Sequence, residues 1–314
     1  MYNQEQKEKF LEQLTINAAP FISMFKISEP YEEERQRDLA EFSKEDFEHL
    51  LANGLGLTQS SLRLARQRIN HYLKWCRDNN IPTTLVGNLN IIPDKSGIIR
   101  DRMVGSPEEL SWRMDRVFQD RKLATVGCLY RCYLWMLFMG FNKQEPANVL
   151  TEEVDLSSLS IIHNGVEYDI PPTALIDFMH AVNCNEFIHS RAIGKQDAVY
   201  HARVDSPYLL RGLRTEQLSF DTLQRHVRSL QTKQHIGSGK LVPKQIIISG
   251  FFWRAYQIET QSGVPYLSPI IEKAFCGTEI SKDPESKPAT DYHRYLTFKY
   301  TQDYYAWKNA FNLQ

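Results

Sequence analysis

Between Leu123 and Phe141 apolar side chains fall on almost every face: Leu123, Val126, Leu129, Tyr130, Tyr133, Leu134, Leu137, Phe138 and Phe141 cover more than one helical stripe. A helix apolar all round lies at the centre of a large domain or in a membrane. Arg131, near its middle, argues for the first, because a cation is costly in lipid. Gly140 suits the left-handed turn that ends such a helix. A second, amphipathic helix is expected directly after it, and a strand from Asp155. The polar corner between them, Asn142 to Glu145, has no role in that packing scheme.

The pattern predicts helices on both sides of this centre. Helices are expected at Gln4–Asn17 and Tyr31–Phe42, then a short one in which Ser43 and Asp46 form a capping box ahead of Phe47, Leu50 and Leu51. Thr58 to Ser61 can cap the next helix, which buries Leu62, Ile69, Leu73 and Trp75 and ends at Ile81-Pro82. Glycines and prolines without helical period mark a linker over 83–106 between domains at 1–82 and 107–314. Ser106-Pro107-Glu108-Glu109 starts a helix to Phe118, with a cap, Pro at the first position and acids in the first turn. Asn164-Gly165 between Ser158–Ile162 and Val166–Ile170 signals a hairpin, and Pro171-Pro172 opens a helix through Leu175 and Phe178. Helices follow at Leu218–Lys233 and Lys244–Ser262, then an aromatic end with one or two more. The fold class is therefore mainly α with a small antiparallel sheet, an α+β arrangement.

Composition adds little until it is read locally. The 314 residues carry a net charge of -1, with 42% hydrophobic and 24% charged positions, ordinary for a globular protein. Met1 to Gly56 holds 12 acidic against 6 basic residues. Leu57 to Asn80 reverses this, with Arg63, Arg66, Arg68, Lys74 and Arg77 against Asp78 alone. From Arg211 to Gln245 there are 7 basic against 2 acidic residues, with Arg225, Arg228 and Lys233 on the helix after Ser219. Two basic helices, one with Ser60 at its start and one with Gln224 beside its arginines, suit contact with nucleic-acid phosphate and base edges. A solvated helix face is the competing reading of each. Met1 to Glu12 is polar and mixed in charge, unlike a secretory leader, and the five cysteines form no CxxC pair, which suits a reduced, cytoplasmic chain. Cys128 and Cys132, four apart on the apolar helix, are read as core; neither a metal nor an organic cofactor is indicated.

The order of parts resembles the tyrosine recombinases, the phage integrase family, over roughly residues 40 to 310. Met139 to Asp155, MGFNKQEPANVLTEEVD, is similar to the family block T-G-L-R-x-x-E-(x)n-L-x-x-x-D-(I/V)-D, with Gly140, Glu145, Leu150 and Asp155 on matching places. Thr297-Phe298-Lys299-Tyr300 resembles the T-T-x-x-Y segment that carries the nucleophile. The resemblance implies a two-domain clamp, with a helical core-binding-like first domain and a catalytic-like second domain, closed on double-stranded DNA.

The departures bear on activity. The first catalytic Arg of the family has its place at Asn142; the hairpin segment Ser158–Ile170 contains no Lys; and the His-x-x-Arg block is placed on Ile247–Phe252, with Gly250 at the Arg position. A tyrosine with an ordinary pKa near 10 needs cations about the phosphorane and a donor for the leaving hydroxyl. Loss of one such preorganised donor costs about a hundredfold or more. Gly140 and Glu145 are expected to serve structure, and Tyr300 to be a vestige. The resemblance with these losses implies a protein that binds DNA without strand transfer. Ser60, Arg63, Arg66, Arg68, Lys74, Gln224, Arg225, Arg228 and Lys233 would make its contacts. Transcriptional repression of phage lytic genes in lysogeny would suit it: operator DNA as partner, self-association or a protein regulator besides, no membrane, and a place on the nucleoid of the host cell. Two alternatives stand beside it. One is an active recombinase using Tyr300 with Arg254, His293 and Arg294 as substitutes; the other is a helical interaction protein acting through its acidic first segment.

Overall fold

The computed structural model describes residues 1–55, 59–84, 89, 94–118, 124–183, 186–189, 199–202, 205–212, 215–265, 274 and 301–314. The chain forms two compact units, Met1–Ile99 with Gln302–Gln314, and Arg100–Thr301. The expected boundary was a linker at 83–106 with everything after it in one domain. Within that stretch Leu89 belongs to the first core and α5 (Ser96–Arg102) is helical, with Ile98 and Ile99 buried. Residues 301–310 are helical; from Gln302 on they belong to the first unit, with Tyr304, Trp307 and Ala310 buried.

The first unit contains α1 (Gln4–Glu12), α2 (Ala19–Arg35), α3 (Lys44–Asn53) and α4 (Gln59–Asp78). Of the helix expected at Tyr31–Phe42 only the start is α-helical: α2 runs through Pro30 to Arg35, and a 3-10 turn follows at Leu39–Glu41. An interior proline costs a helix roughly 3 kcal/mol. Burial of Phe21, Met24, Phe25, Ser28 and Glu32 along one face accounts for its continuing. The expected capping box is complete: Asp46 N donates to Ser43 Oγ at 3.2 Å and Ser43 N to Asp46 Oδ2 at 3.0 Å. Phe10, Phe25, Phe47, Leu50, Ile69 and Tyr72 form the core. Inside it Lys7 Nζ lies 2.6 Å from both oxygens of Glu32, with neither side chain exposed. Burial raises the Glu32 pKa, while Lys7 opposes the shift. Ser28 Oγ and Leu39 N also donate to that carboxylate, so the pair is fully dressed, as a buried pair must be.

The second unit is built on α7 (Ala124–Met139), flanked by α6 (Pro107–Val117), α8 (Leu175–Asn183), α9 (Phe220–Lys233) and α10 (Pro243–Ser262). From Cys128 to Phe141 every residue except Arg131 is buried, as expected for a central helix. Arg131 resolves its own cost. Its Nε donates to Asp177 Oδ1 and its Nη1 to Asp115 Oδ1, both at 2.7 Å, while Trp135 Nε1 takes the other Asp177 oxygen. Cys128 and Cys132 are buried in this core. Ser106 caps α6 as expected, accepting from Glu109 N.

The sheet is a three-stranded antiparallel meander of β1 (Val154–Asp155), β2 (Ser160–His163) and β3 (Val166–Asp169). The hairpin turns at Asn164 and Gly165, with φ of 52° and 76°, the left-handed pair that a two-residue turn needs. A second hairpin, β4 (Glu186–His189) with β5 (Val199–Ala202), was not anticipated. The mainly α class with a small antiparallel sheet is as expected. The amphipathic helix expected after the corner is absent; two 3-10 turns, Glu145–Asn148 and Thr151–Glu153, take its place. There the main chain bonds to a distant segment instead of to itself: Thr151 N donates to Pro207 O at 2.7 Å and Leu209 N to Val149 O at 2.9 Å. No helix among the described residues is long and apolar enough to cross a membrane.

Candidate nucleic-acid interface

The corner after α7 is closed by its own side chains. Gly140 has a φ of 117°, a conformation that side-chain-bearing residues rarely adopt. Asn142 Oδ1 accepts from the backbone N–H groups of Gln144 at 3.0 Å and Glu145 at 3.1 Å. In return Glu145 Oε2 accepts from Asn142 N at 3.0 Å. This reciprocal pattern has the form of a capping box across the turn 142–145, just ahead of the 3-10 turn Glu145–Asn148. The Asn142 oxygen is thus bound to the turn that it starts. A cavity of about 510 Å³ lies close by, lined by Phe138, Met139, Tyr168, Trp253 and Arg254 among others, but neither Asn142 nor Glu145 reaches it.

Gly250 sits deep in α10, on its contact with α7. A Cβ built on it would lie 1.8 Å from Phe138 O, so only glycine permits this approach. Its place is one of backbone packing, which helical periodicity could not reveal. Arg254, one turn on, donates from Nη1 to Phe138 O at 2.6 Å and from Nε to Ala274 O at 2.8 Å. Tyr300, His293 and Arg294 lie outside the described residues.

Helix α9 is the clearest of the two basic helices. Ser219 caps it, accepting from Thr222 N, and Leu223, Val227 and Gln231 form the buried stripe. Gln224, Arg225, Arg228 and Lys233 are all exposed on the remaining surface. The helix is fixed from below by Tyr130 of α7, whose hydroxyl bonds His226 Nδ1. Burial pushes the Tyr130 hydroxyl up to about 12. Burial, then Arg225 and Lys233, lower His226. A protonated phenol therefore donates to a neutral imidazole. Buried Gln231 holds the loop that follows, accepting from Leu241 N at 2.6 Å and donating to Leu241 O at 3.2 Å. Between helix and loop opens a cleft of about 700 Å³, with Arg228, His235 and Lys240 among its lining residues. The sequence pattern singles out neither His235 nor Lys240, although Lys240 counts in the local positive charge.

Helix α4 is less uniform. Its buried stripe is Leu62, Ala65, Ile69, Tyr72, Leu73 and Cys76, while Trp75 is half-buried and donates to Gln13 Oε1 at 2.7 Å. Arg63 and Lys74 are exposed, Arg66 and Arg68 are half-buried, and the side chain of Ser60 lies outside the described residues. The sequence thus places cations on two helices, of which α9 presents all of its candidates and α4 only some. Among the described residues no group of three or more His, Cys, Asp or Glu side chains is arranged to hold a metal ion.

Residues 1–78 match the family described as "MrpR, N-terminal core-binding domain". This stretch, a quarter of the chain, is similar to that core-binding domain. The match covers α1 to α4, so the helix with Arg63, Arg66, Arg68 and Lys74 lies inside the matched stretch. No curated protein matches the chain. Among solved structures the chain is similar to XerA recombinase, at 14% identity and a TM-score of 0.36, over 95% of this chain and 98% of that one. It is also similar to the Tn1549 transposon integrase in complex with transposon right end DNA, at 8% identity and a TM-score of 0.37, over 95% and 98% of the two chains. A lambda integrase dimer bound to a core site is similar at 11% identity and a TM-score of 0.32, over 91% and 96%.

Proposed function

We propose that this protein is a sequence-specific DNA-binding repressor, built on a recombinase-like clamp, that binds operator DNA without cutting it. The observation that carries the reading is a contrast within the second unit: α9 presents Gln224, Arg225, Arg228 and Lys233 to solvent, while Asn142, to which the sequence resemblance gives the place of a catalytic arginine, has its oxygen on backbone amides. Exposed arginines on a rigid helix can contact phosphate and read guanine edges in a major groove. Asn142, its oxygen held by its own turn, carries no positive charge to set against a phosphorane, as an arginine in that place would.

The likeness of residues 1–78 to the MrpR core-binding domain supports the same reading for the first unit. The whole chain, in this reading, is similar to an integrase-like master repressor of lysogeny, so the operators would be those of phage lytic genes. The bacterial nucleoid would then be its place of action. In the catalytic alternative Arg254 would substitute for a lost cation, but its guanidinium is bound to the carbonyls of Phe138 and Ala274. Gel shifts on phage promoter fragments at two salt concentrations test the proposal. Affinity should fall steeply with salt, because phosphate contacts release counterions. Salt-independent or absent binding would refute it.

A further inference from the structure

The cleft of about 700 Å³ between α9 and the loop that follows it has a wall of one charge. Arg228, His235 and Lys240 line it, and among the described residues no Asp or Glu does. All three side chains are exposed. Elsewhere in this unit Arg113 pairs with Glu109, Arg131 with Asp115 and Asp177, and His163 with Glu153, while Arg228, His235 and Lys240 have no carboxylate partner among the described residues. Val227, Leu241 and Pro243, all buried, line the same space and make part of its wall apolar. The loop that carries Lys240 is pinned on both sides of it. Gln231 bonds both main-chain groups of Leu241, and Gly239 N donates to Asp101 Oδ1 at 2.7 Å. Gly239 has a φ of 68°, a conformation that a side chain would strain. Asp101 is not part of the cleft wall.

We infer that this cleft is a binding site for a phosphate ester. A guanidinium, an ammonium and an imidazole N–H converge on one space, and each can donate to the oxygens of an anion. Fixing the loop beforehand lowers the cost of ordering Lys240 when the anion arrives. A cavity of this size, with apolar walls and a few polar groups, suits an organic ligand better than a bare ion. Inorganic phosphate would engage the cations and leave Val227, Leu241 and Pro243 uncovered; an ester brings a carbon-bearing part to cover them. The ester is either a free mononucleotide or a phosphodiester of the DNA backbone. Arg228 belongs both to this cleft and to the exposed face of α9. Only the second source deepens the DNA-binding proposal and rests on it.

Two measurements on the full chain separate the sources. The first is thermal unfolding in AMP, in inorganic phosphate and in chloride at equal ionic strength. Tm should rise with the logarithm of AMP concentration, and less in inorganic phosphate. Lys240→Met should need roughly tenfold more AMP for the same rise, the worth of one hydrogen bond to a charged group. The second is the salt dependence of DNA affinity, whose slope should fall by about one in Lys240→Met if the backbone is the ligand. An AMP response that weakens in the variant, with an unchanged slope, identifies a free ester. A fallen slope without an AMP response identifies the backbone, and both together mean that the cleft accepts either. A chain that binds no DNA would refute the DNA proposal, while the AMP measurement would still decide the site. His235→Gln, at a second exposed position, repeats the AMP test independently of Lys240. A response to inorganic phosphate as large as that to AMP would overturn the ester. AMP responses and slopes equal to wild type in both variants would overturn the site and leave a solvated groove.

Discussion

The contact of α7 with α10 and the outer face of α9 belong to the same unit and follow opposite rules. At the first, position 250 admits no Cβ, Phe138 O is approached by a glycine and by Arg254, and the surrounding side chains are buried. On the second, Arg225, Arg228 and Lys233 stand exposed above a stripe of only Leu223, Val227 and Gln231. Change at the first should act on folding, and change at the second on what is bound. The corner at Asn142 lies between the two: its geometry is kept, through Gly140 and Glu145, while the side chain at its centre serves the turn.

The largest expected effect sharpens the first half of this contrast. Gly250→Ala forces α7 and α10 apart at the backbone and should cost about 3 kcal/mol or more, the upper end for overpacked cores. Urea unfolding measures it, and a midpoint equal to wild type would break the contrast at once. Next in size is the double variant Arg225→Ala, Arg228→Ala. It should weaken DNA binding by roughly tenfold or more, within the range for lost base and phosphate contacts. Its stability should stay within about 0.5 kcal/mol of wild type, as for surface changes away from packing. Equal affinity, or a comparable loss of stability, would show that α9 is not a binding face.

Asn142→Ala removes one side of the corner's capping box and should cost about 1 kcal/mol, the usual worth of a lost cap. DNA affinity should follow only through that loss. A larger drop in affinity than in stability would assign Asn142 a direct contact. The smallest effect concerns pH. Asp155 accepts from Ser157 N and Oγ and from Ser158 N, and these bonds hold its carboxyl at about 2, below its ordinary 3.8. A depressed carboxylate adds stability that is present above the unfolded value and lost as pH falls towards the folded one. Between about pH 4 and pH 2 the turn at 155–158 should therefore loosen. NMR titration of the Asp155 carboxyl reads this directly; a midpoint at 3.8 would show that the hydroxyl bonds do not form.

What was legible beforehand shares one property, that its cause is local. Ser43 with Asp46, Ser106 before Pro107, Asn164-Gly165 and Ser219 each satisfy their own neighbours, and each appears where the pattern puts it. The all-round apolar α7 was legible for a similar reason, since its composition alone demands a centre. The misreadings have distant causes. Pro30 continues a helix because Phe25 and Glu32 are buried on either side of it. The chain after the corner is drawn out of a helix by main-chain bonds to residues 207–209. The family resemblance gives Gly250 the place of an arginine, and the structure sets it against a carbonyl more than a hundred residues away. Arg66 and Arg63 looked alike on one basic helix, yet only Arg66 has a buried, unpartnered nitrogen.

The central claim is binding without strand transfer, and one measurement reaches both parts of it. Genomic phage fragments that the full chain retains at moderate salt would be nicked to form suicide substrates, incubated with the protein and run under denaturing conditions. The account predicts specific, salt-sensitive retention and no protein covalently joined to DNA. A denaturant-resistant adduct that disappears in Tyr300→Phe would contradict it.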